Sequence, residues 1–268
     1  MGLDDDTQLS ARGDGTYEGE IGETWWTPRG PLGGYVMAIV LRAMETEVGD
    51  PERQARSFTM HFLRPPRAGP VAVAAVVERA GRSLTSASAR LEQDGKLLGL
   101  ALGAFSVAWP GPCLTESPMP EVEPPAPGEP HARELPGARR PPFTERLIMQ
   151  GRFGPEPFSG AERAEVGGWL GLREERPLDT LAVALLADAW FPAPWPRLTE
   201  LTPAPTIDMT VHFRAPLPLP ASPLLGRFRS RHVEDGFFEE DGQLWAPDGT
   251  LVAQSRQLGL LIAGGDRV

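Results

Sequence analysis

The chain has 268 residues, of which 36 are acidic and 26 basic, so its formal net charge is −10 at pH 7. A surface of this charge repels phosphate backbones, and we expect no nucleic-acid partner. Apolar residues make up 41% of the chain, which is enough for a core, and the length suggests one or two domains. Cys113 is the only cysteine, which excludes an intrachain disulfide and a cysteine-based metal cluster.

The N-terminal residues 1–6 are acidic and no apolar stretch follows them, so they do not resemble a signal peptide. No run approaches the ~18 apolar residues that a membrane-spanning helix needs. From the sequence we therefore expect a soluble, cytoplasmic protein without membrane insertion.

The first predicted element is a helix from Gly34 to Val48 that is apolar nearly all round, because residues 35–41 are apolar in succession. Such a helix is typically enclosed by protein. It begins at Gly33-Gly34, where missing side chains allow another group to approach the free backbone N–H groups. Two interpretations are open: tight packing of the helix start against a strand, or a ligand or oxyanion role.

Two segments of the chain repeat one pattern, since His61-Phe62 and His212-Phe213 lie 151 residues apart within predicted strands 57–65 and 208–216. Both strands alternate in the same phase, as expected when one face is buried. Each is followed later by a hairpin signal, Asp94-Gly95 in the first half and Asp248-Gly249 in the second, before a final strand. The same order of elements in both halves indicates a tandem duplication.

Residues 109–142 contain eleven prolines and predict an extended connector between the halves. Beyond the connector, a second helix is predicted from Leu178 to Phe191, with Asp179 as its N-cap. Asp188 is placed on the buried face of this helix near its C-terminus, where the helix dipole disfavours negative charge. Either hydrogen bonds compensate it or its pKa is raised, unless the helix has frayed and Asp188 is solvated.

Several motifs in this order resemble one known family: Gly33-Gly34-Tyr35 opening a buried helix, Phe62-Leu63-Arg64-Pro65, residues 79–84, and Thr206-Ile207-Asp208 before a strand. Together they resemble the acyl-CoA thioesterase II (TesB-type) family. The resemblance implies an α+β double hotdog, in which each of two tandem units is a long central helix wrapped by an antiparallel β-sheet. The expected units are residues 12–108 and 143–264, joined by the connector 109–142.

The resemblance also implies the catalytic residues. The family places an Asp on the second central helix, a Thr or Ser at the start of the next strand and a Gln on the last strand, and these match Asp188, Thr206 and Gln257. An ionised Asp188 can accept a proton from a water, while the hydroxyl and the amide can each hold that water. Taken singly, Thr206 is equally a β-branched strand residue and Gln257 a satisfied core amide. Arg56 departs from the family, whose well-known members have His there.

We expect Gly33, Gly34 and Tyr35 to bind the substrate or the oxyanion, with Gly34 N–H as a donor, and one working site per chain. The leading hypothesis is hydrolysis of a fatty acyl-CoA to free acid and CoA, with no cofactor and no metal, in a homo-oligomer. The alternative is a non-catalytic acyl-CoA-binding protein. An enoyl-CoA hydratase would need an Asp–His pair, and no His lies near Asp188 in the sequence.

The acidic runs and the tryptophans predict structural roles. The acidic runs Asp4-Asp5-Asp6 and Glu239-Glu240-Asp241 predict solvated surface. Four tryptophans flank the predicted helices and are expected in the core or along an acyl tunnel: Trp25, Trp26, Trp190 and Trp195.

Overall fold

The computed structural model describes residues 2–128 and 140–262. Residues 129–139 of the predicted connector and 263–264 of the predicted second unit lie outside them. The described helices are α1 (Leu3–Asp6), α2 (Gly33–Val48) and α3 (Thr180–Ala187), with short 3-10 turns at Glu23–Trp25, Pro142–Arg146 and Trp195–Arg197. The strands are β1 (Ser10–Gly13), β2 (Thr16–Ile21), β3 (Trp26–Thr27), β4 (Gly30–Pro31), β5 (Gln54–Phe62), β6 (Gly69–Ala80), β7 (Leu84–Gln93), β8 (Lys96–Ser106), β9 (Leu147–Phe153), β10 (Glu165–Leu172), β11 (Thr206–Phe213), β12 (Leu224–Arg229), β13 (Val233–Glu234), β14 (Phe237–Trp245) and β15 (Leu251–Leu260).

The helix predictions hold for α2 and only in part for α3. α2 is buried around most of its circumference and ends at Gly49, whose φ of 65° suits a residue without a side chain. α3 begins after Asp179, whose carboxylate caps Ala182 N–H, as predicted. It ends at Ala187, four residues earlier than expected. A helix running through Asp188 would place its carbonyl against the ring of Pro192, so the chain turns before that point.

Thirteen strands form one large, antiparallel sheet in the order β1-β2-β6-β7-β8-β5-β11-β15-β14-β12-β10-β9, with β13 beside β14. The order β2-β6-β7-β8-β5 recurs in the second half as β10-β12-β14-β15-β11. In each half a helix follows the first of these strands; α2 has 16 residues but α3 only 8, so the second helix is shorter than expected. The predicted alternation is confirmed, because Phe58, Met60, Met209, Val211 and Phe213 are all buried on the helix side.

The two halves join where β5 and β11 pair antiparallel. These strands carry the repeated pattern and run in opposite directions, so one equivalent pair, Thr59 and Thr210, lies directly opposite across the junction. The hydroxyls of Thr59 and Thr210, 151 residues apart in the chain, lie 2.9 Å from each other. The 151 residues between Thr59 and Thr210 equal the offset between His61 and His212, so the two threonines are equivalent positions of the two halves. Their contact therefore lies on the axis that relates the halves.

Helices α2 and α3 lie against the same face of the sheet and run antiparallel to each other. At one end Gly34 of α2 contacts Asp188 just beyond α3. At the other end the hydroxyl of Thr180 donates to Glu45 over 2.5 Å. Both helices belong to one continuous apolar core. No described helix is both long enough and apolar enough to cross a lipid bilayer.

The described part of the connector has no regular secondary structure and is attached to the second half of the sheet. The indole N–H of Trp169 donates to Glu123 O over 2.8 Å, and that of Trp245 donates to Ser117 O over 3.0 Å. The side-chain amide of Gln150 both donates to and accepts from the backbone of Ala126. The connector therefore covers the apolar patch that Trp169 and Trp245 form on the side away from the helices.

Candidate active site

Asp188 lies immediately after α3 and is held by the first turn of α2. Its Oδ2 accepts the backbone N–H of Gly34 at 2.6 Å. The helix has ended there, as the alternative interpretation held, yet the carboxylate is bound rather than solvated. The N-terminus of α2 points its positive dipole end at this carboxylate, which offsets the unfavourable end of α3.

The two glycines at the start of α2 make this contact possible. A Cβ at Gly34 would lie 2.6 Å from Leu185 O and 3.0 Å from the Asp188 Cβ, and one at Gly33 would lie 2.9 Å from Asp188 Oδ2. Side chains at these positions would push the helix ends apart. The absence of a side chain therefore permits tight packing of the helix start, here mainly against the end of α3, together with the Asp188 hydrogen bond.

Burial raises the pKa of Asp188 to about 7, and the hydrogen bond from Gly34 N–H acts in the opposite direction. Asp188 as a residue remains partly exposed. A carboxyl whose pKa lies near neutrality is matched to accept a proton at physiological pH.

A second group of polar side chains lies on three neighbouring strands. The Thr206 hydroxyl donates to Gln257 Oε1 over 2.8 Å, and Gln257 Nε2 donates to Glu240 Oε1 over 2.7 Å. The other oxygen of Glu240 accepts the backbone N–H of Ala193 at 2.6 Å. Thr206 and Gln257 are therefore in direct contact, and Glu240 extends the network.

Strand register explains how this network forms. Glu240 on β14 lies directly opposite Gln257 on β15, so both side chains leave the sheet on the helix side. Thr206 pairs with Gly259, and a bulge at residues 206–208 turns its side chain to the face that Gln257 occupies. Without this bulge, strict alternation would place Thr206 on the outer face with Thr210. A bulge that redirects one side chain is common next to active sites.

Glu240 corrects the sequence interpretation, which assigned Glu239-Glu240-Asp241 to solvated surface. Its residue is only 6% exposed. Burial raises its pKa to about 7; the hydrogen bonds from Ala193 and Gln257 lower it, and the charge of Asp188 raises it further. The signal was present in the alternation of β14, where Glu240 shares a face with the buried Phe238 and Leu244.

The acidic run Asp4-Asp5-Asp6 is exposed at Asp4 and Asp5, as predicted, and partly buried at Asp6. It forms α1, and Asp6 Oδ2 accepts the indole N–H of Trp25 at 2.9 Å. Asp4 pairs with Arg42 and Arg176. These carboxylates attach the N-terminal segment to both halves and lie outside the polar network around Gln257.

Asp188 is near this network but has no hydrogen bond to Thr206 or Gln257 within the described residues. The loop that starts at Asp188 reaches Glu240 through Ala193, and the Asp188 charge acts on Glu240. The sequence predicts that the Gln257 amide binds Asp188 together with a water. In the structure its direct partners are Thr206 and Glu240.

Two of the expected substrate-binding groups have other partners. The Gly34 N–H, expected at the oxyanion, donates to Asp188. The Tyr35 hydroxyl donates to Asp6 O over 2.7 Å and accepts Gly22 N–H, while its ring stacks on Trp25, so this side chain is part of the core. Gly33 also lies against the Asp188 carboxylate. Among the described residues, its N–H has no hydrogen-bond partner.

Arg56 occupies a bulge near the start of β5, whereas Phe62 at the other end lies beside Gly33. Gly33 also lies next to Asp188, so Phe62 marks the end of β5 that is near the site. The six residue steps from Arg56 to Phe62 span about 20 Å, and Arg56 is therefore remote from Asp188.

An aromatic cluster follows Asp188 directly in the chain. Phe191 contacts both Trp190 and Trp195, with ring centroids 5.9 Å and 6.3 Å apart, and Phe158 contacts Trp195. The indole nitrogens of Trp190 and Trp195 are buried and have no hydrogen-bond partner within the described part of the chain.

Family models match both halves of the chain. Residues 23–108 match the acyl-CoA thioesterase N-terminal domain, and residues 120–261 match the acyl-CoA thioesterase C-terminal domain. The chain belongs to the acyl-CoA thioesterase family. The resemblance to thioesterase II proteins is thereby confirmed.

Relatives agree with this assignment in fold. A hot dog fold protein of unknown function from Alicyclobacillus acidocaldarius is 28% identical, with a TM-score of 0.87 over 98% of each chain. The acyl-CoA thioesterase II TesB2 of Mycobacterium marinum is 21% identical, with a TM-score of 0.78 over 100% of each chain, which shows the shared hotdog fold alone. The uncharacterized protein Rv0499 of Mycobacterium tuberculosis is 26% identical over 92% of this chain and 91% of its own.

Proposed function

We propose that this protein hydrolyses a fatty acyl-CoA thioester to free acid and CoA through a water activated by Asp188, Thr206 and Gln257. The observation that carries the proposal is the Asp188 carboxyl, whose pKa is near 7 and whose charge acts on Glu240, the hydrogen-bond partner of the Thr206–Gln257 pair. No resident cofactor or metal takes part in this scheme.

In the first step the water loses a proton to Asp188 as its oxygen attacks the thioester carbonyl carbon. The C–S bond then breaks, and CoA leaves with its sulfur carrying the electron pair until it is protonated. Thr206 and Gln257 position the water, because a hydroxyl and an amide can each donate and accept hydrogen bonds. Asp188 is regenerated when its proton passes to the leaving thiolate, so that no co-reactant besides water is needed.

The negative charge on the carbonyl oxygen requires a donor other than Gly34 N–H, which is bound to Asp188. We assign it to Gly33 N–H, since the first N–H groups of a helix have no acceptor within that helix. Base and donor then come from different halves of the chain, so one complete site forms per chain.

The same proposal includes the finer architecture: a double hotdog of units 12–108 and 143–264 with the connector 109–142 between them. The recurring strand order, one central helix per half and the Thr59–Thr210 contact support it. A fold alone does not establish an activity, so the proposed reaction rests on the site.

A thiol-release assay over short, medium and long acyl-CoAs tests the proposed reaction. We expect continuous CoA release with at least one chain-length class. The exposed Cys113 reacts with thiol reagents as well, so the Cys113→Ser variant is the control that separates CoA from this thiol. Saturable acyl-CoA binding with no CoA release from any substrate would favour the non-catalytic binding protein instead.

A further inference from the structure

The geometry points to Glu240 as a positioning residue for this hydrolysis: its carboxylate fixes the orientation of the Gln257 amide and, through it, the direction of the Thr206 hydroxyl. The inference rests on the proposed function, because Thr206 and Gln257 hold the reacting water in that proposal. Glu240 acts through these two side chains and does not itself touch the substrate.

An ionised carboxylate can only accept hydrogen bonds, whereas an amide has a donor end and an acceptor end of the same shape. Glu240 Oε1 lies 2.7 Å from one end of the Gln257 amide, so that end is the NH₂ group whenever Glu240 is ionised, which its pKa of about 7 allows above neutral pH. The carbonyl oxygen is then turned towards Thr206, 2.8 Å away, and must accept the hydroxyl proton. Without Glu240, a half-turn of the amide would present NH₂ to Thr206 and reverse this pattern.

The fixed orientation determines what remains for a water. Thr206 has donated its single proton to Gln257, so its oxygen can only accept a further hydrogen bond. Gln257 retains one N–H that is not directed at Glu240. A water that gives one proton to Asp188 and the other to Thr206, while accepting this N–H, keeps one lone pair for the thioester carbon.

Glu240 is itself rigidly held. Its second oxygen accepts the N–H of Ala193, a fully buried residue in the loop that begins at Asp188. Its neighbours on the same face of β14, Phe238 and Leu244, are each 1% exposed. Because both of its oxygens accept hydrogen bonds, the carboxylate keeps one orientation. It can therefore hold the Gln257 amide in one orientation as well.

The charged groups that act on Glu240 are Asp188, beyond α3, and Glu239, its neighbour on β14. No basic group contributes to its pKa within the described residues. The pKa of Asp188 is raised by burial and lowered by the Gly34 N–H, and Glu240 does not contribute to it. The loss of Glu240 should therefore act on the orientation of Gln257 and leave the pKa of Asp188 in place.

Three variants test the role of Glu240. We expect Glu240→Gln to lower kcat about 10-fold to 100-fold with little change in KM, as is typical for a misplaced reacting group. Its acid limb in kcat/KM should stay in place, because Glu240 does not contribute to the pKa of Asp188. Glu240→Asp keeps the charge but is one methylene shorter, so kcat should fall while the acid limb stays in place. The matched control is Glu234→Gln, which removes one charge from an exposed side chain on β13 and should leave both quantities unchanged.

A readout independent of turnover is the side-chain amide signal of Gln257 in ¹H–¹⁵N NMR, assigned by its loss in Gln257→Leu. The chemical shift of one of its two protons should change with pH around 7 in the wild type and in Glu234→Gln. In Glu240→Gln this pH dependence should be lost. A wild-type kcat in Glu240→Gln, or an amide signal whose pH dependence is unchanged by the loss of Glu240, would overturn the inference. A wild-type protein that releases no CoA would instead refute the proposed function, and the amide signal would still test Glu240.

Discussion

The backbone N–H of Gly34 donates to Oδ2 of Asp188 over 2.6 Å, although the two residues lie 154 positions apart in the chain. This bond joins the start of one central helix to the end of the other. It places a carboxylate in an apolar environment and gives it a single strong donor from the opposite half. The chemistry proposed for the site depends on this contact, and the following predictions test its consequences.

The first prediction concerns the pH dependence of turnover. Since the pKa of Asp188 is raised to about 7, kcat/KM should increase as the pH rises through about 7 and level off above it. A short acyl thioester without phosphate groups is the control, because phosphate esters also titrate near pH 6. Full activity maintained down to pH 5 would show that the base has an ordinary carboxyl pKa.

The second prediction concerns stability. Between about pH 4 and pH 7 the folded protein binds more protons at Asp188 than the unfolded chain, so this group's contribution to stability falls as pH rises. Asp188→Asn does not titrate and can still accept the Gly34 N–H. Its Tm should exceed that of the wild type at pH 8 by at least about 2–4 °C, the shift for ~1 kcal/mol in a chain of this size. The difference should shrink towards pH 4, and calorimetry across this range measures it; a constant or reversed difference would contradict the assignment.

The third prediction addresses the contact between the helices. Gly34→Ala would place a methyl group 2.6 Å from Leu185 O, so the helix ends must separate. We expect a loss of about 1–3 kcal/mol in the free energy of unfolding, together with reduced activity. Gly111→Ala is the control, since a Cβ there meets nothing within 4 Å. Denaturant titration of both variants checks the difference, and equal stabilities would mean that the packing is looser than described.

The fourth prediction separates two threonines on one strand. Thr206→Val keeps the shape but removes the hydroxyl that donates to Gln257, so kcat should fall at least about tenfold, as expected when a group that orients the reacting water is lost. Thr210→Val makes the same change four residues along β11, where the hydroxyl contacts Thr59 at the junction of the halves. Steady-state kinetics should show near-normal kcat for this second variant. Equal losses in both would assign Thr206 a structural role.

The parts of the fold that follow local patterns could be predicted from the sequence. α2 was predicted to within one residue because its apolar run and its terminal glycines are local signals. The phase of β5 and β11 was correct because alternation needs only neighbouring residues. The Asp94-Gly95 turn has both residues at positive φ, which these residue types tolerate.

The features that depend on distant parts of the chain could not be predicted in the same way. The bulge that turns Thr206 inward appears only when β11 is aligned with β15. The Gly34 N–H was expected at a substrate oxygen because nothing local shows that Asp188 reaches it first. Glu240 was overlooked because three adjacent acidic residues suggested surface, although strand parity placed the middle one with the core.

The most direct test of the central claim is CoA release by Asp188→Asn compared with the wild type, at pH 8 and with the best acyl-CoA substrate. The substitution preserves size and the hydrogen bond from Gly34 but removes the ability to accept a proton from water. The account predicts a loss in kcat of at least about a hundredfold, the usual contribution of a general base, with the folded structure retained. Turnover within a few-fold of the wild type would show that Asp188 does not activate the water.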